Sequence, residues 1–149
     1  ENVRCPLHLN STTMAKIVGK YKMESSENFD EFMKALGVGL VMRKMGNAAT
    51  PTVEITEEDG TYSMKTITTF KTTEIKFKLG EEFEETTADG RNVKSTITIE
   101  GNKMTHKQTG DKKKEEKDSV ITREFTDTEL IAECKVDDIV CKRVYKRLD

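Results

Sequence analysis

The stretch Leu130-Ile-Ala-Glu-Cys-Lys-Val-Asp-Asp-Ile-Val-Cys-Lys-Arg-Val-Tyr145 reads as two strands folded back on a tight turn. Asp137-Asp138 separates two alternating runs, and successive side chains of a strand point to opposite faces. With a two-residue turn at that pair, Cys134 faces Cys141, Ala132 faces Arg143 and Leu130 faces Tyr145. An arginine on such a face needs an anionic partner to offset its desolvation. On the preceding strand Ile121, Arg123 and Phe125 share a face, which brings a second arginine among apolar neighbours. No acid is matched to either arginine by strand spacing, so an anion from outside is the expected partner. A carboxylate accepts two parallel hydrogen bonds from arginine and another from a tyrosine hydroxyl, so Arg123, Arg143 and Tyr145 are candidates for holding the head of a long-chain acid. The same spacing also allows both arginines to lie outside, paired with Glu124, Glu133 or Asp149.

Outward from this hairpin, the chain after Pro51 is a series of short strands divided by turn residues. The divisions are Asp59-Gly60, Leu79-Gly80, Asp89-Gly90, Gly101-Asn102, Gly110-Asp111, Thr126-Asp127 and Asp137-Asp138. Nine strands are expected near 52–58, 61–68, 73–79, 83–88, 92–100, 103–109, 118–125, 128–136 and 139–147. An earlier one runs from Ile17 to Met23 and is broken by Ser25 and Ser26. Short connections favour antiparallel neighbours, and so many strands must close or fold over to shelter their edges. The fold class is therefore all-β, a barrel or clam of ten antiparallel strands. Its cap is a helix pair. Asn28, with Glu31 three residues on, reads as a helix start, and Phe29, Phe32, Met33 and Leu36 follow at helical spacing. Gly37 suits the C-terminal cap, and Val41, Met45 and Ala48 mark one face of a second helix stopped by Thr50-Pro51.

Composition agrees with a thin-walled container. Hydrophobic residues make up 34% of the 149 residues and charged residues 35%, while twenty threonines bias the chain toward strands. A net charge of −2 with interspersed signs gives no reason to expect nucleic acid. The charge run Gly110–Asp118 cancels locally and lacks aromatics, as an exposed hairpin tip would. No run is long enough for a transmembrane helix and no N-terminal segment resembles a signal peptide, so a cytoplasmic address is expected. Residues 1–13 show no periodicity and precede Met14-Ala15-Lys16. They are expected to be a non-native or disordered extension, with 14–149 as the single domain. Cys5, Cys134 and Cys141 form no zinc spacing, and no metal site, nucleophile triad or phosphate loop appears. Neither catalysis nor a cofactor is expected. His106 shares strand parity with Met104 and Gln108, without an evident carboxylate partner.

Several motifs carry a resemblance. Gly19-Lys-Tyr-Lys22 followed by Asn28-Phe-Asp30 resembles the N-terminal signature of the cytosolic fatty-acid-binding protein family. Met33-Lys-Ala-Leu-Gly-Val-Gly39, Thr69-Phe-Lys-Thr-Thr-Glu-Ile-Lys-Phe-Lys-Leu-Gly80, Glu82-Phe-Glu-Glu-Thr-Thr-Ala-Asp-Gly-Arg91 and Cys141-Lys-Arg-Val-Tyr145 extend it in family order over 14–149. The muscle, heart and myelin-type branch is the most similar. Tyr21 stands where Trp is commoner, and the 111–117 hairpin is longer than usual. The resemblance implies a ten-stranded antiparallel up-and-down β-barrel (β-clam) with a helix-turn-helix lid, enclosing one long-chain fatty acid. It puts Arg123, Arg143 and Tyr145 at the carboxylate-binding positions. Phe29, Met33 and Val38 match cavity and lid positions, Phe70 the portal aromatic, and Ala88 with Asp89 the portal turn. Pro51, Thr66, Ile121 and Ala132 match wall positions. It further implies a monomer that solubilises and transfers its ligand, with transient membrane contact through a lid carrying Lys34, Arg43 and Lys44, and Lys71 nearby. It turns the His106 face inward, and Cys134 with Cys141 resembles a pair found in some members. A retinoic-acid carrier would use the same three anchoring groups, and an interaction module with an empty cavity would share the fold.

Overall fold

A computed structural model describes residues 17–148. The expectations for residues 1–13, the start at Met14, and Cys5 and Asp149 lie outside the described residues. The strands are β1 (Gly19–Glu27), β2 (Thr52–Glu58), β3 (Thr61–Ile67), β4 (Thr72–Lys78), β5 (Phe83–Thr86), β6 (Asn92–Glu100), β7 (Lys103–Thr109), β8 (Ser119–Phe125), β9 (Glu129–Val136) and β10 (Ile139–Arg147). Helices α1 (Phe29–Ala35) and α2 (Leu40–Ala48) separate β1 from β2. All ten strands form one antiparallel sheet in the order β4-β3-β2-β1-β10-β9-β8-β7-β6-β5. Every neighbour follows its predecessor in the chain except β1 and β10, whose pairing curls the sheet into a nearly closed barrel. The two free edges, β4 and β5, meet at a seam, where Phe77 stacks on Phe83 with ring centroids 5.7 Å apart.

Turn chemistry sets the register. Asp59 and Gly60 both adopt positive φ, 53° and 85°, as a two-residue hairpin turn with right-handed strand twist requires. Asp137 does the same at 54°, and the last hairpin pairs Cys141 with Cys134, Arg143 with Ala132 and Tyr145 with Leu130. Alternation then sorts the side chains. Tyr21, Ile55, Ile97, Met104, Phe125 and Leu130 point inward and form one core. Tyr21, in the position where the resemblance favours Trp, meets the Phe125 ring edge-on at 5.6 Å and donates its hydroxyl to the Ile17 carbonyl at 2.9 Å. A second cluster joins the lid to the barrel, with Phe32, Met33, Leu36 and Val38 against Cys134, Val136 and Cys141.

Three local expectations are corrected. β1 does not break at Ser25 and Ser26 but continues to Glu27, because Ser25, Ser26 and Glu27 pair with Val144, Arg143 and Lys142 of β10. A register shift between Met23 and Ser25 absorbs the irregularity. Asn28 does precede α1, but in a left-handed conformation at φ 65°, and its side chain makes no helix cap. Its Nδ2 donates instead to the Val140 carbonyl of β10 at 3.0 Å. In α2 the expected Val41–Met45–Ala48 face does not turn inward, since Val41 is 71% exposed. Of that face Met45 alone lines the hollow beneath the lid, with Met42, Gly46 and, just past the helix, Ala49.

The long hairpin between β7 and β8 is mostly exposed, as read, and contains one 3-10 turn at Lys112–Lys114. The Asp111 carboxylate accepts the Lys113 N–H at 2.9 Å. At its base a Cβ on Gly110 would lie 2.6 Å from the Glu116 carbonyl oxygen, and backbone cannot yield as a side chain does. Gly110→Ala should therefore lower unfolding stability by about 1–3 kcal/mol, with a matching fall in Tm by circular dichroism.

Candidate functional site

β8, β9 and β10 each contribute an inward-facing residue to one patch. Their registers align Arg123 with Ala132 and Ala132 with Arg143. Arg143 is 5% exposed and Tyr145 is 8% exposed. The Arg143 guanidinium lies 3.7 Å above the centre of the Phe29 ring, a cation–π contact from α1, and Nη1 sits 3.4 Å from Ser26 Oγ. Among the described residues no carboxylate pairs with Arg143. Arg123 is half-buried, between Met104 of β7 and Ala132 of β9 in the strand registers. Burial lowers its pKa, opposed by nearby Cys134, Tyr145 and Glu85.

The two cysteines are buried free thiols joined by a hydrogen bond, in keeping with the hairpin register. The bond to Cys141 favours the thiolate of Cys134, whose pKa is lowered; burial opposes this, while Arg123 and Arg143 assist. Cys141 is pushed up, first by its bond to Cys134 and then by burial. Both guanidinium groups therefore act on the same sulfur, so the strand registers bring them to a common patch.

Beside this patch runs a polar chain along the inner wall. Arg123 Nη1 approaches His106 Nδ1 at 3.2 Å, and His106 Nε2 lies 3.0 Å from Glu85 Oε1. Because arginine can only donate, Nδ1 accepts and Nε2 carries the proton, so the imidazole is neutral. Burial lowers the His106 pKa further. Glu85 also accepts from Ser95 Oγ at 2.7 Å and Gln108 Nε2 at 3.3 Å, and Gln108 Oε1 accepts from Ser119 Oγ at 2.8 Å. Burial raises the Glu85 pKa, but the hydrogen bonds and the interaction with His106 outweigh it and hold it at about 2. This corrects two sequence readings: His106 has a carboxylate partner, and an interior acid lies within electrostatic range of Arg123. Glu85 was missed because β5 has four residues, too few for alternation to declare a face. The inward parity of His106 was the available signal, since a buried imidazole calls for a partner.

Two hollows meet at Phe29. One, about 260 Å³, contains Arg143 with Met23, Ser26, Gly46 and Asn47. The other, also about 260 Å³, lies beneath the lid, where Phe29, Phe32, Met33, Leu36, Val38 and Met45 supply an apolar lining. Phe70, Ala88 and Asp89 border its mouth, and Phe70 is 53% exposed. Pro51, Thr66, Ile121 and Ala132 are not among the residues that border it. Pro51 is buried, its carbonyl accepting the Met23 N–H at 3.0 Å, while Thr66 pairs with Val53 on the barrel wall. Ile121 is half-buried beside Cys134 in the strand register, and Ala132 lies between the two arginines.

Residues 18–148 match the family described as lipocalin / cytosolic fatty-acid binding protein. The chain belongs to this family. It is 53% identical over 135 residues to sodium/calcium exchanger regulatory protein 1 of Doryteuthis pealeii, covering 91% of this chain and 98% of that one. It is 45% identical over 135 residues to a fatty acid-binding protein of Tyrophagus putrescentiae, covering 90% and 99%. A Schistosoma mansoni fatty acid binding protein, solved in complex with arachidonic acid, superposes with a TM-score of 0.87 at 40% identity, covering 92% of this chain and 99% of that one. Two of these three relatives are named as fatty acid-binding proteins, and their spread shows the family without singling out a branch of it. Among the described residues of this family member, no helix is long and apolar enough to cross a membrane.

Proposed function

We propose that the protein is a carrier for one long-chain fatty acid, with Arg143 and Tyr145 holding the carboxylate, Arg123 behind them, and the tail in the apolar cavity beneath α1 and α2. The observation that carries this reading is a buried arginine without a carboxylate partner among the described residues, beside an apolar cavity that shares the Phe29 ring. A ligand carboxylate supplies the missing charge and bonds to guanidinium and phenol together. Burying about fifteen methylenes at roughly 0.8 kcal/mol each gives a gross gain near 12 kcal/mol before association costs, compatible with tight, reversible binding. The arrangement needs no cofactor. The relatives named as fatty acid-binding proteins, and the one solved with arachidonic acid, support the ligand class. Displacement of a fluorescent fatty acid by oleate, retinoic acid and a long-chain alcohol tests it. Oleate is expected to compete best and the alcohol worst; preferential displacement by retinoic acid would reassign the ligand, and failure of every acid would remove the carrier role.

The carrier acts as a cytoplasmic monomer that touches membranes through its lid. Leu40 and Val41 project from α2 at 58% and 71% exposure, and exposed Lys34 and Lys44 supply charge for anionic headgroups. Arg43 serves differently: it donates to Asp30 Oδ1 at 3.1 Å and to the Val38 carbonyl at 2.7 Å, tying the helices together. Lys34→Glu with Lys44→Glu should slow ligand transfer to anionic vesicles several-fold without changing oleate affinity. Equal transfer rates would remove the membrane contact.

A further inference from the structure

His106 stands on the inner wall between two opposite charges. Its side chain is 2% exposed, its Nδ1 accepts from Arg123 Nη1 at 3.2 Å, and its Nε2 donates to Glu85 Oε1 at 3.0 Å. The neutral ring thus separates a cation from an anion, and its Nδ1 is the hydrogen-bond acceptor that Arg123 finds among the described residues. Glu85 of β5 and Arg123 of β8 are the charged groups facing it. Opposite His106 in the registers lie Ile97 of β6 and Ile121 of β8, Phe83 of β5 packs against the ring with centroids 6.4 Å apart, and Ser95 and Gln108 are bound to Glu85. Burial chiefly, with the Arg123 charge, keeps the His106 pKa below its ordinary value against the bond to Glu85. Cys134 and Tyr145 stand near Arg123, and Arg143 acts on the same Cys134, so the guanidinium at one end of this chain belongs to the patch assigned above to the ligand carboxylate.

An ionised carboxylate is a stronger acceptor for a guanidinium than a neutral ring nitrogen, because the bond is charge-assisted. A fatty acid entering with its head at Arg143 and Tyr145 therefore competes for Arg123. Once Arg123 turns to it, His106 Nδ1 is a buried acceptor without a donor, and Glu85 loses the cation that balanced it; both are costly. One proton answers both needs. On Nδ1 it makes the ring an imidazolium whose Nε2–H stays on the Glu85 carboxylate, and it turns Nδ1 into a donor on the side where the ligand's negative charge arrives. We propose that His106 binds a proton as the fatty acid binds: Arg123 passes from the ring nitrogen to the ligand carboxylate, and a proton from the medium takes its place as the partner of Glu85. This rests on the fatty-acid reading above and adds a proton to what the site takes up. His106 is a positioning residue here, acting on the carboxylate through Arg123. By linkage the coupling runs both ways: acidification through the His106 titration tightens the hold on an ionised head, and the loaded protein keeps the proton to higher pH.

Nuclear magnetic resonance of the His106 ring, followed from about pH 5 to about pH 8 in the free protein and in its oleate complex, reads this directly. The His106 midpoint is expected to rise by about one unit or more when oleate binds. A long-chain alcohol, which brings no charge, should not raise it. Calorimetric titration with oleate at about pH 6, in two buffers of different ionisation heat, counts the protons. Wild type should take up more than His106→Asn, whose amide oxygen still offers Arg123 an acceptor but cannot titrate. An unmoved or lowered midpoint in the oleate complex, or equal proton uptake by the two proteins, would overturn the coupling. An equal rise with the alcohol would overturn it as well, since no carboxylate is there to draw Arg123 away. Failure of oleate to bind wild type would remove the carrier reading itself, a separate outcome. Should His106→Asn fail to fold, the ring titration of the wild type needs no variant and decides alone.

Discussion

Replacing Arg143 with glutamine is expected to weaken oleate binding by about 10- to 100-fold, read by titration calorimetry. The size follows from losing a charge-assisted pair of hydrogen bonds at a buried guanidinium, while the tail keeps its apolar cavity. Stability should move the other way or stay level. In the ligand-free protein Arg143 is a buried cation whose nearest partners are a phenyl ring and a distant serine hydroxyl. Removing a charge without a counter-charge removes a desolvation cost. The combination of weaker binding with an unchanged or higher Tm separates an anchor from a structural residue. Unchanged oleate affinity would sink the anchor.

The second large effect is expected at Glu85. Glu85→Ala strips acceptors from Ser95, His106 and Gln108 at once, and should cost about 3 kcal/mol or more by urea unfolding. The pH dependence has a definite sign. The folded carboxyl titrates at about 2 against an ordinary 4.5, so its stabilisation is complete above pH 4.5 and disappears as pH falls toward 2. His106 slopes the same way from a higher start. Its folded pKa lies below the ordinary 6.5, so acidification protonates the unfolded chain first and stability begins to fall near that value. The Glu85→Gln variant should flatten the wild-type slope below pH 4.5. An unaltered acid profile would show that Glu85 does not hold this wall.

How much was legible in the sequence follows from which contacts are local. The last hairpin could be read because one turn fixes its register, whereas parity gave Arg123 only a face shared with Ile121 and Phe125, and its alignment with Ala132 comes from the β8–β9 pairing. Other features depended on distant chain. β1 extends through Ser25 and Ser26 only because β10 offers partners there, and Asn28 leaves its helix to bond Val140. α2 repeats apolar residues at helical spacing, yet Met42 and Gly46, rather than Val41, face the barrel, which α1 packing decides. Glu85 shows the same limit: its partners come from β6 and β7, and four residues of β5 cannot announce them.

The β1–β10 pairing has a consequence for the order of assembly. Ser26 meets Arg143 across nearly the whole chain, so this contact carries a large loop-closure cost and is expected to form late. During synthesis β1 has to wait with one edge unpaired until the final strand emerges. That strand brings Arg143 and Tyr145 with it. Closure of the wall and arrival of the anchor are therefore one event, and a nascent chain still lacking β10 has neither a sealed container nor the groups that retain an acid in it.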